Sequence, residues 1–88
     1  MSDTKLTVDN HRSLAVIARE IRADWPKPYF GAVPYLSAMR DLDRITDMYL
    51  FDSAKSVVLY FLANASSWRG DNARRIKAEL KQIVALVN

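Results

Sequence analysis

The sequence predicts an all-α protein: a compact four-helix domain with a buried central third helix. Three observations carry this. Seven consecutive apolar residues, Val57 to Ala63, follow the N-cap candidates Asp52 and Ser53, and capping oxygens of this kind open helices. Two other stretches place apolar residues at helical spacing. Only two Gly and three Pro are present, too few for the turns of an all-β chain.

The chain is 88 residues with half its residues hydrophobic, so it reads as one domain able to bury roughly 60–65% of its unfolded surface. Residues 1–5 are mostly polar, and 1–6 read as a flexible tail. Thr7, Asp9 and Asn10 offer capping oxygens, which predicts a first helix over 8–24. Leu14, Ile17, Ala18, Ile21 and Trp25 form its apolar stripe, with Arg12, Arg19 and Arg22 on another face. Pro26 ends it, because a proline ring disfavours helical geometry in the preceding residue.

The loop from Trp25 to Gly31 holds two prolines and the aromatics Trp25, Tyr29 and Phe30. It reads in two ways. Folded down, it is a hydrophobic lid on the core. Exposed, the three aromatics form a rigid protein-binding patch, since aromatic anchors dominate binding energy at interfaces.

Pro34 suits the first turn of a second helix, where its missing N–H is an orphan anyway, and the spacing of Tyr35, Met39, Leu42, Thr46 and Tyr49 extends that helix over 34–48. Asp43 and Asp47, four apart, would share a face. Arg40 and Arg44 neighbour them, so surface ion pairing accounts for them better than a metal site, for which one helix cannot supply a coordination shell. The third helix spans 53–65. Being apolar nearly all round, it is expected at the centre, contacted on several sides.

The fourth helix is predicted over 68–86, with Trp68-Arg69-Gly70 as its first turn and Asp71 near its positive end. Ala73, Ile76, Leu80, Ile83, Val84 and Val87 define its apolar face. From Trp68 to Asn88 there are five basic residues against two acidic, whereas Arg40 to Asp52 holds two against four. Trp68, Arg69, Arg74, Arg75, Lys77 and Lys81 therefore make a candidate nucleic-acid-binding stripe of cations with one stacking aromatic. A helix–turn–helix reading would use the last helix as the reader. The apolar preceding helix and the turn without glycine count against it.

Nothing in the pattern implies catalysis, a cofactor or a metal. The single His11, near the start of the first helix, reads as a surface or capping residue with no Ser or Asp arrangement that implies a relay, and two isolated glycines cannot form a phosphate loop. Arg69-Gly70-Asp71 spells an adhesion tripeptide too short to carry weight. With no Cys, no signal-like apolar core near the N-terminus and no run approaching the roughly 18 apolar residues of a membrane span, the expectation is a soluble, cytoplasmic, non-enzymatic protein without a membrane partner.

The segments Arg19-Glu20-Ile21-Arg22-Ala23-Asp24-Trp25 and Ala32-Val33-Pro34-Tyr35-Leu36-Ser37-Ala38-Met39 resemble a family of small uncharacterised proteins of bacteriophages and mobile elements of Gram-positive bacteria. So does the stretch from Val57-Val58-Leu59-Tyr60-Phe61-Leu62 through Trp68-Arg69-Gly70 to Ala73-Arg74-Arg75-Ile76-Lys77. The similarity spans about residues 14–82. It implies an origin rather than a mechanism, that of an accessory phage or plasmid protein. For a small protein without a catalytic site the expectation is binding of a host or phage protein in the bacterial cell, or self-association through an exposed apolar face. Binding of nucleic acid through the C-terminal helix is the alternative.

Overall fold

The first helix, α1 (Leu14–Asp24), starts six residues later than the spacing predicts. In the computed structural model, which describes residues 5–87, Thr7 and Asn10 close a turn through two mutual backbone hydrogen bonds. Ser13 then caps the helix, its hydroxyl accepting from the Ala15 N–H. The first helical N–H groups need acceptors from outside the helix. Leu14 and Ala15 find them in the carbonyls of Asp43 and Leu42, at 3.0 and 2.9 Å. Residues 1–4 of the predicted tail lie outside the described residues; Leu6, from the same tail, packs against the core.

A 3-10 turn (Phe30–Ala32) leads into α2 (Val33–Met39), which ends nine residues before the predicted boundary. The physical reason is competition for hydrogen bonds. The Leu42 and Asp43 carbonyls are taken by α1, while the Asp47 carboxylate accepts from the N–H groups of Asp43 and Arg44, both at 2.9 Å. Each bond replaces one that a continuing helix would make. Thr46, placed on the predicted apolar stripe, is exposed.

The chain then forms a β-hairpin, β1 (Met48–Tyr49) against β2 (Asp52–Ser53), antiparallel with Met48 opposite Ser53 and Tyr49 opposite Asp52. The fold is mostly helical but not all-α. Two-residue hairpin turns favour Asn-Gly or another glycine pair; here the turn is Leu50-Phe51, which carries no such signal. Leu50 adopts φ +55°, a left-handed conformation rare for a bulky side chain.

The third helix, α3 (Ala54–Ala63), is capped by Ser53, whose hydroxyl accepts from the Ser56 N–H. It is not buried at the centre. α2 and α4 (Asp71–Val84) each pack against both α1 and α3, so the four α-helices of the described residues form a ring with α3 on its rim. Ala54, Val57, Val58 and Phe61 face the core, while Leu59 and Tyr60 are 45% and 56% exposed. α4 begins three residues later than expected, with Gly70 at φ +114° as its N-cap and Trp68 ahead of it. The radius of gyration, 12.4 Å, is close to the ~12 Å that scaling gives for a folded chain of this length. One core joins Leu14, Ile17 and Ile21 to Leu36, Met39, Phe61, Trp68, Ile76 and Leu80, and no polar or charged residue is buried among the described residues.

Candidate functional site

The basic stripe does not stand free. Trp68, the expected stacking residue, is 2% exposed. Its ring stacks on Trp25 at 5.9 Å between centroids and meets Phe61 edge-on at 6.3 Å, and its indole N–H donates to Asp24 at 2.8 Å. Lys77 donates to the Trp68 carbonyl at 2.6 Å and lies over its ring. Burial, and then the nearby charges of Lys81 and Arg69, push the Lys77 ammonium below its ordinary pKa. Arg74 pairs with Asp71, and Arg75 with Glu20. Of the six predicted residues, only Arg69 and Lys81 lack a hydrogen-bonding or ionic partner among the described residues.

Arg75 belongs to a network that fastens the N-terminal segment to α1 and α4. Arg12 makes a two-pronged contact with Glu79, at 2.8 and 2.7 Å, and lies 2.8 Å from Glu20. Glu79 foremost raises the Arg12 pKa above its ordinary value; Arg75 foremost, then Arg12, hold the Glu20 carboxyl below its own. These cations serve the fold.

The predicted acidic pair and the lone histidine also have structural partners. Asp47 caps the 43–47 turn instead of sharing a helix face with Asp43, and those backbone bonds lower its pKa. Asp43 lies 3.6 Å from Arg44. His11 Nε2 accepts from the Ile45 N–H at 3.1 Å, and Nδ1 lies 2.7 Å from the Arg12 carbonyl. Since a backbone N–H only donates and a carbonyl only accepts, the ring is the neutral tautomer with its proton on Nδ1. No group of three or more residues able to hold a metal ion occurs among the described residues.

The aromatic loop divides between its two readings. Trp25 is half-buried against Trp68 and Phe61, as a lid would be. Tyr29 and Phe30 are 47% and 79% exposed, with their rings 4.7 Å apart. A Cβ built on Gly31 would fall 2.6 Å from the Tyr29 ring and 2.7 Å from the Asn64 side chain, so this glycine lets the loop close onto the end of α3. Asn64 in turn donates to the Tyr60 carbonyl at 2.9 Å, and Tyr60 stacks on Tyr35 at 5.5 Å. The loop aromatics thus continue into the outer face of α3.

At the other end of α3 the hairpin exposes Met48, Leu50 and Phe51, the last at 99%. These residues, with Leu59 and Tyr60, were not foreseen as a site. The apolar run Val57–Ala63 gives no periodic indication of which side stays uncovered. The hairpin thus lies at the N-terminal end of α3 and the aromatic loop against its C-terminal end, and both carry exposed apolar side chains. Comparison with protein-family models, with curated proteins and with solved structures produced no match.

Proposed function

We propose that the chain is a non-enzymatic protein-binding module that docks its partner through the outer face of α3 and the two apolar tips beside it. One observation carries the reading: a predominantly apolar helix buries Ala54, Val57, Val58 and Phe61 on one side and leaves Leu59 and Tyr60 open to water on the other. Helices of that composition are ordinarily enclosed, and apolar patches left open on a folded surface mark interaction sites. Phe30, Tyr60 and Phe51 are the anchors, large rings that gain most when water is excluded from them.

The resemblance to phage and mobile-element proteins supports an accessory role in a bacterial cytoplasm. The nucleic-acid reading is weaker. Its aromatic is buried and most of its cations are engaged in the fold, leaving few to displace phosphate counterions.

The test is capture from bacterial lysate with and without nuclease. Capture that survives nuclease and is lost in Phe30→Ala and Tyr60→Ala, but not in an Arg69→Ala/Lys81→Ala double variant, supports the reading. Capture abolished by nuclease, or insensitive to Phe30 and Tyr60, overturns it.

A further inference from the structure

We propose that the partner of the α3 face is a second copy of this chain, the two copies packing with their α3 helices antiparallel across a two-fold axis near Tyr60. This rests on the docking-face reading above and names its occupant.

The first argument is area. Tyr29, Phe30, Phe51 and Tyr60 are 47%, 79%, 99% and 56% exposed; at about 200 Å² per ring side chain they leave roughly 560 Å² open to water. Met48, Leu50 and Leu59, each 45% exposed or more, bring the face toward the ~800 Å² that each partner contributes to a stable interface. α3 has ten residues and so is only ~15 Å long. Both flanking tips therefore fit within one interface of ordinary size.

The second argument is polarity. The hairpin end of the face carries exposed Asp52 on β2, while Lys55, in the first turn of α3, is turned to the Val87 carbonyl. The loop end carries exposed Lys27, two residues before Tyr29. In a two-fold contact, residue i of one copy meets j of the other and j meets i. An antiparallel arrangement brings Lys27 of each copy to the hairpin end of the other, twice over, and sets the two helix dipoles in opposition, the favourable sense. A parallel arrangement would set acid against acid. A two-fold contact uses the same face on both copies, so it closes as a dimer instead of propagating.

Sedimentation equilibrium of the full chain, over about 1–200 μM, reads the association directly. A mass rising with concentration to twice 10.0 kDa is expected for the native chain, and a monomer with unchanged circular dichroism for Tyr60→Arg. Lys27→Glu and Asp52→Lys should each weaken association roughly 3–10-fold, and the two together should restore it. A double variant no better than the single ones overturns the antiparallel two-fold. A native monomer whose capture of another protein still depends on Phe30 and Tyr60 overturns the dimer and leaves the docking face standing. A native monomer without that dependence overturns both.

Discussion

Trp25 and Trp68, 43 positions apart, stack at 5.9 Å with their ring planes 11° from parallel. The contact ties the end of α1 to the start of α4, and the Trp68 indole donates to Asp24, the last residue of α1. A residue with the profile of a surface stacking platform is thus the bulkiest side chain in the core.

Trp68→Ala should lower stability by about 3–5 kcal/mol through lost burial and the cavity left behind. Trp68→Phe keeps most of the ring and removes the indole donor, so a smaller loss of about 1–2 kcal/mol is expected. Urea unfolding followed by circular dichroism measures both. A Trp68→Ala variant as stable as the native chain would contradict the packing.

Phe61 and Tyr60 are neighbours on α3 that face different sides of the helix, at 0% and 56% exposure. Phe61→Ala should cost about 3–5 kcal/mol. Tyr60→Ala, measured dilute enough to keep the chain monomeric, should cost under about 1 kcal/mol. Leu62, half-buried, should fall between them. Equal losses at positions 60 and 61 would return α3 to the centre of the domain.

The hairpin turn holds Leu50 at φ +55° with its side chain 79% exposed. Glycine adopts that conformation without steric cost, at some cost in unfolded-chain entropy. Leu50→Gly should therefore raise monomer stability by about 0.5–1 kcal/mol. The same change removes apolar surface from the docking face and should weaken association. Thermal melts at low concentration, set beside sedimentation, separate the two effects.

Glu20, Asp24 and Asp47 all ionise more readily in the fold than ordinary carboxyls. The causes are Arg75 for Glu20, Asn72 and then Trp68 for Asp24, and the Arg44 and Asp43 N–H groups for Asp47. Depressed folded values mean that the unfolded chain takes up protons first as pH falls. The stabilisation is complete above the ordinary carboxyl range, near pH ~4, and is lost as pH drops through the folded values. Urea midpoints should hold from neutral pH down to about pH 5 and fall steadily below about pH 4. A midpoint unchanged at about pH 3 would show that these contacts contribute nothing.

The helical class was legible in the chain because apolar spacing and capping residues are local. Leu14, Ile17 and Ile21, or Ile76, Leu80 and Ile83, announce their buried faces wherever the helix is placed, and Ser53 caps α3 as its chemistry implies. Tyr29 and Phe30 were likewise identifiable as candidate anchors from their position on a proline-stiffened loop.

What the tertiary structure decided depends on groups distant in sequence. α2 stops at Met39 because α1 takes the carbonyls of Leu42 and Asp43. The hairpin forms around a Leu-Phe turn that no local preference favours. Trp68 is inside because Trp25, Asp24 and Phe61 converge on it. The outer face of α3 is open for the same kind of reason. The unbroken apolar run from Val57 to Ala63 has no pattern to say which side its neighbours cover, so only the placement of α2 and α4 leaves Leu59 and Tyr60 facing water.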